Sequence, residues 1–279
     1  MALLAVVVWG ASFVATRIAL QWLNPVALIT VRVCVGSLML AAILRMRRQT
    51  IWPGRSEFVL CGILGAVLGG HILIQAVGLQ FTTATNTGWI IGFMPVTIAL
   101  GAQMLGRQRL SLVGWGGVML GTFGVLLVTM PKLQAFADAR LGDLLQVSSC
   151  LTWTAYTLVA IGPVSRMGSL RVTASTMTIA AFMMLPLCGV AGRFMAPMTP
   201  AALTAVLFLS VFCSGLAYLW WVTAVNDHGP TRVGAMLYLE PFVTLAVAAA
   251  LLDEPVSWHT LAGGLCVLAG VAFVSRGSR

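Results

Sequence analysis

The chain has 279 residues, of which 59% are hydrophobic and only 8% charged, with a mean hydropathy of +0.99. Soluble domains are about 45–50% apolar and about 25% charged, so these few charges exclude a soluble globule, and the apolar content excludes disorder. The net charge of +9 rests on cations that lie mostly in short gaps between apolar runs, where they orient a membrane protein rather than bind nucleic acid.

A spanning helix needs about 20 mostly apolar residues. Ten such runs follow one another, at 1–20, 26–44, 57–79, 85–106, 110–130, 142–162, 170–190, 201–224, 231–252 and 258–275. The first lacks a basic leader and stays apolar through Trp9, Phe13 and Ile18, so it reads as a span rather than a signal peptide. The gaps are too short for a folded extramembrane domain, so function is expected within the bilayer. With the N-terminus inside, eleven arginines fall on the inner side, while Arg17, Lys132, Arg140 and Arg193 fall outside. That bias predicts cytoplasmic termini. The six cysteines all sit in apolar runs without C-x-x-C spacing, which points to neither a disulfide framework nor a zinc site. There is no Walker A motif to drive an ATP-powered pump.

Ionisable groups inside a span cost about 3 kcal/mol each at its centre and seldom face lipid. In chain order, Trp9 lies beside Gly10 and Ser12 in the first span. Arg32, in the second, could hold a substrate carboxylate by paired hydrogen bonds, or snorkel outward. His71 and Gln75 are four apart and share a helical face, as do Asn86 and Trp89, three apart. Trp153 lies about 15 Å into its span, too deep for an interfacial belt, with Tyr156 on the same face. Tyr218 and Tyr238 are inner-side counterparts, and of the adjacent Trp220 and Trp221 at most one can face the centre. An aromatic wall with a few hydrogen-bonding groups suits an amphipathic amino acid. Glu240 is the only carboxylate deep in a span. With Pro241, and with Pro95 in the fourth span, it marks a hinge or coupling position, read first as a kink in which the glutamate satisfies backbone freed by the proline. Gly114, Gly117, Gly121 and Gly124 form one narrow face, Gly263, Gly264 and Gly270 another, and Gly65 with Gly69 a third; these read as helix-packing surfaces.

The chain repeats itself. A shift of 146 carries Pro95 to Pro241, Ser111 to Ser257, Gly117 to Gly263 and Gly124 to Gly270, and a shift of 144 carries Trp9 to Trp153. Five spans per copy is odd, so the copies insert upside down relative to each other, a recurrent build for secondary transporters with the site near the midplane. The expected fold is an all-α polytopic membrane protein of ten transmembrane helices in two inverted five-helix repeats, 1–137 and 138–279. The W-G-x-S-F string at Trp9–Phe13 and the pattern Glu240-Pro241, Glu254-Pro255, Ser257, Gly263 resemble the EamA-type branch of the drug/metabolite transporter superfamily. The ten-span layout and aromatic-rich spans are similar to the YddG-type aromatic amino acid exporters. The resemblance implies an inner-membrane carrier moving small metabolites outward through a central cavity lined by both halves, with the fifth and tenth helices packed outside it.

The function expected is export of amino acids, aromatic ones included, by alternating access, with Trp9, Arg32, His71, Gln75, Asn86, Trp89, Trp153 and Tyr156 as substrate contacts and no metal or cofactor. Expected partners are the amino acid substrate and the lipid bilayer, with no nucleic acid, and the chain is expected to act as a monomer. Proton-coupled efflux of other amphipathic solutes and a channel are the alternatives. No H-E-x-x-H or G-x-S-G string supports an intramembrane enzyme.

Overall fold

The computed structural model describes residues 1–107, 109–129, 140–252 and 258–277. The helices are α1 (Ala2–Ala19), α2 (Pro25–Met46), α3 (Arg55–Phe81), α4 (Ala84–Ile91), α5 (Met94–Met104), α6 (Leu112–Thr129), α7 (Arg140–Met167), α8 (Ser169–Ala191), α9 (Pro200–Phe208), α10 (Ala217–His228), α11 (Pro230–Gly234), α12 (Glu240–Leu252) and α13 (Trp258–Gly277). A π-helical segment, Leu209–Leu216, joins α9 to α10, and a 3₁₀ turn, Ala235–Leu239, joins α11 to α12. Helix falls on each of the ten apolar runs, and the described residues contain no β-strand. Among those residues, seven helical stretches are long and apolar enough to cross a bilayer: α1, α2, α3, α7, α8, α9 through α10, and α11 through α12. The chain is therefore an all-helical, polytopic membrane protein. Lys132, the 137/138 division and the Glu254-Pro255, Ser257 part of the repeat signature lie outside the described residues.

Local chemistry sets the corners. Asn24 caps α2, its side chain accepting from Ala27 N at 3.0 Å, with Pro25 preorganised in the first turn. Thr199 and Pro200 open α9 in the same way. Gly168 (φ +83°) and Gly229 (φ +84°) each turn the chain sharply from one helix into the next, a conformation that a side chain would strain. Three of the ten runs are not continuous α-helix. The fourth breaks at Gly92 and Phe93, just before Pro95, which has no N–H to continue the ladder. The ninth tightens to 3₁₀ just before Pro241. The eighth widens instead: Ala217 N–H bonds Phe212 O, one residue further back than an α-helix allows.

The glycine faces are contact surfaces. A methyl group at Gly117 would lie 2.6 Å from the backbone N of Val274 and 2.7 Å from Gly270 O, so α6 and α13 meet backbone to backbone. One at Gly65 would lie 2.7 Å from Ile179 Cγ2, which seats α3 on α8. Helix α1 is the inner element, in contact with α3, α4, α9, the π segment, α10 and α12.

Candidate functional site

A cavity of about 30 Å³ opens where these elements converge. It is lined by Trp9, Ser12 and Phe13 of α1, Arg32 of α2, His71, Ile72 and Gln75 of α3, Ile91 of α4, Met94 of α5, Trp153 of α7, Tyr218 of α10, Leu237 of the 3₁₀ turn and Glu240 of α12. The α6–α13 pair contributes none of these walls. The space suits about two water molecules. A solute larger than this can enter only if helices move apart.

One end of the cavity is closed by aromatic rings. Trp9 meets Trp153 edge-on at 5.0 Å between ring centroids and Tyr218 at 5.5 Å. Trp221 lies 5.5 Å from both tryptophans, and Tyr156 stacks on Trp153 at 5.7 Å. Met1, Gln49, Met167 and Thr223 share one face of the molecule, here called the N-terminal face. Helices α7 and α10 run towards it, so Tyr156 and Trp221 stand on that side of Trp153 and Tyr218 and seal the cavity there. Two rings are fixed by hydrogen bonds. Trp221 Nε1 donates to Thr157 Oγ1 at 3.1 Å, and Trp9 Nε1 donates to Cys213 O at 3.0 Å. Cys213 O is the carbonyl that the Ala217 N–H bypasses in the π segment. Trp153 Nε1 is buried with no partner among the described residues.

The polar groups lie beside these rings, with His71 5.2 Å from Trp153 between ring centroids. Arg32 does not snorkel: it is 7% exposed, and its Nε donates to Ser214 Oγ of the π segment at 3.2 Å. His71 Nδ1 lies 3.1 Å from both Ser149 O and Thr152 Oγ1. A carbonyl only accepts, so Nδ1 carries the proton, and a neutral ring turns a free Nε2 lone pair outward. Gln75 Nε2 reaches Ser149 Oγ at 3.5 Å, while Gln146 Nε2 donates to Gln75 O at 3.0 Å, which fixes α3 against α7. Glu240 is 3% exposed. Its side chain does not serve the backbone interrupted by Pro241, because Leu237 O, four residues before the proline, accepts from the Glu240 backbone N–H. Thr244 Oγ1 donates to Gly10 O (2.9 Å) and Glu240 O (3.0 Å), tying the start of α12 to α1.

Of the residues singled out in the sequence, Trp9, Arg32, His71, Gln75, Trp153 and Glu240 line one cavity. Tyr156 stands behind Trp153. The side chains of Asn86 and Trp89 lie outside the described residues. Pro95 and Pro241 are buried at the first turns of α5 and α12. Tyr238 is not a cavity residue; it covers Gly121 and donates to Val118 O at 3.1 Å. Ser12 and Phe13 belong to the W-G-x-S-F string but are not among the site residues expected from the sequence, and Met94 and Ser214 carry no signal in the sequence that separates them from packing residues. Tyr218 and Trp221 do carry one: they are three apart and share a helical face.

A multi-helix membrane protein with a buried cavity lined by aromatic, charged and amide side chains has the architecture of a solute carrier. The chain matches the EamA-like transporter family over residues 1–130 and 140–276, and it belongs to that family. An uncharacterized transporter of Archaeoglobus fulgidus is 30% identical over 275 residues, covering 96% of this chain and 93% of that one. A probable amino-acid metabolite efflux pump of Salmonella typhimurium is 25% identical over 292 residues, covering 97% and 92%. A solved crystal structure superposes with a TM-score of 0.83 at 17% identity, over 99% of this chain and 95% of that one, and so shares the fold.

Proposed function

We propose that this protein is a secondary exporter of amino acids, aromatic ones included, and that substrate occupies the cavity between two inverted halves, 1–137 and 138–279. The observation that carries the reading is the cavity itself, which Trp9, Trp153 and Tyr218 line together with Arg32, His71 and Gln75. Rings stack on a substrate ring, and the guanidinium, imidazole and amide meet its polar end. The efflux-pump relative supports the same substrate class.

Element positions support ten crossings in two copies. Helices α2 and α8 begin 144 residues apart, α3 and α9 begin 145 apart, and α6 and α13 begin 146 apart. Trp9 touches Trp153, its own repeat mate, as residues beside a two-fold axis do. In alternating access the halves rock about the broken helices at Pro95 and Pro241. Movement runs down the substrate's own gradient. Both termini face the cytoplasm of a bacterial inner membrane, by the arginine bias.

A panel of amino acids in proteoliposomes, with and without a pH gradient, tests this. A carrier saturates and shows counterflow; non-saturating flux without counterflow would mean a channel, and flux only with a pH gradient would mean proton coupling. Trp153→Ala is expected to cut aromatic amino acid flux about tenfold at equal protein, given about 0.5–1.5 kcal/mol per aromatic pair beyond its area term. Unchanged flux would remove Trp153 from the site.

A further inference from the structure

We propose that Glu240 and Arg32 form a clamp for a zwitterion, Glu240 taking the α-ammonium and Arg32 the α-carboxylate of an amino acid lying between them. This rests on the reading of the cavity as an amino acid site and deepens it: the solute must carry both charges.

The two side chains line the same cavity from opposite halves of the chain. Both are buried, and neither is matched. Arg32 spends Nε on Ser214 and makes no other hydrogen bond among the described residues, so its two terminal nitrogens remain for a ligand. The Glu240 carboxylate makes no hydrogen bond there, and among the described residues the one ion pair within 4.0 Å is Arg166–Glu57. Opposite charges in one small space of low dielectric attract strongly and collapse onto each other unless the scaffold holds them apart. Here it does. Ser214 anchors the guanidinium on the side of α2 and the π segment, and Thr244 fixes the first turn of α12 to Gly10 of α1.

A bound zwitterion gives each charge a contact partner of opposite sign, and the site and its occupant are then each neutral overall. A solute without the ammonium leaves Glu240 buried and unpaired; one without the carboxylate leaves Arg32 so. Sites built on buried polar groups reject such analogues strongly, because the unmatched protein group bears the cost. The rings Trp9, Trp153 and Tyr218 then face the side chain, so the site is expected to be strict about the α-carbon and permissive about the rest.

The test uses the full chain in proteoliposomes and counterflow of labelled phenylalanine. Competitors are phenylalanine, phenylpropionate, which lacks the ammonium, and phenethylamine, which lacks the carboxylate. For the wild type, phenylalanine is expected to compete at least about tenfold better than either analogue. Glu240→Gln, a near-isostere, is expected to weaken phenylalanine at least about tenfold while phenylpropionate holds or improves, and Arg32→Gln is expected to do the mirror image with phenethylamine. The clamp is overturned if analogues match phenylalanine on the wild type, if Glu240→Gln leaves phenylalanine competition unchanged, or if it removes only pH-driven flux with binding intact. If a variant does not fold, the wild-type ranking decides. Exchange of no amino acid at all by the wild type would instead overturn the underlying reading.

Discussion

Ser214 shows how much of this site depends on single atoms. Its hydroxyl accepts from Arg32 Nε at 3.2 Å, which orients a guanidinium whose remaining donors face the cavity. A hydrogen bond to a charged group contributes about 1.5–3 kcal/mol. Ser214→Ala is therefore expected to raise the KM for amino acid counterflow about tenfold while maximal flux changes little; an unchanged KM would mean that packing alone positions Arg32. The arginine, the histidine–glutamine pair and the deep tryptophan were legible as residues because each is costly or out of place in a span. Their partners were not. Ser214 lies 182 positions from Arg32 and Ser149 lies 78 from His71, and nothing in either neighbourhood marks them. Glu240 shows the opposite failure: its position beside Pro241 suggested help for a broken backbone, yet Leu237 O, four residues before the proline, accepts from the Glu240 backbone N–H, and Glu240 lines the cavity.

At the scale of elements, length and composition carry most of the information, because backbone groups in hydrocarbon must be satisfied within the helix. That is why each apolar run is helical. What the runs do not disclose is interruption. Residues 201–224 read as one apolar stretch, and the π widening at Leu209–Leu216, which frees Cys213 O for Trp9, follows from tertiary contacts. Helical periodicity is equally silent on which face meets the cavity, since these helices are apolar all round. Glycine spacing is the exception, because close approach leaves no room for a side chain. Gly117→Leu is expected to cost about 4 kcal/mol or more of stability, seen as a clear drop in the thermal unfolding temperature in detergent. Gly116→Leu, at a neighbouring position with open space around it, is expected to change little. Equal effects would mean that the α6–α13 contact is not close-packed in solution.

For the whole molecule, the question is what holds a cavity of about 30 Å³ shut, since the proposed alternating access opens one end at a time. Helices α3 and α7 run side by side and are tied at both ends. At the N-terminal face, Arg166 donates Nε and Nη2 to the two oxygens of Glu57, at 2.7 and 2.9 Å. At the opposite face, Arg17 donates to Thr82 O and Thr82 Oγ1 to Asp143, both at 3.0 Å. The two ties differ in kind. The first is a two-pronged ion pair between side chains, and its arginine is half exposed, so it can break without disturbing either helix. The second includes a backbone carbonyl and follows the end of α3. Opening at the N-terminal face must therefore separate Glu57 from Arg166. Cys61, one turn along α3 and fully buried, reports on that event. Glu57→Gln keeps the shape, halves the pairing and is expected to raise alkylation of Cys61 by a hydrophilic maleimide several-fold, read by mass spectrometry. Thermal stability is expected to fall modestly, because the pair is two-pronged and Glu57 is buried while Arg166 is half exposed. Alkylation equal to wild type would mean that the ring layer of Trp9, Trp153, Tyr156, Tyr218 and Trp221 closes this end by itself. The ion pair would then be an ornament of the surface, and the barrier to opening would lie in separating those rings.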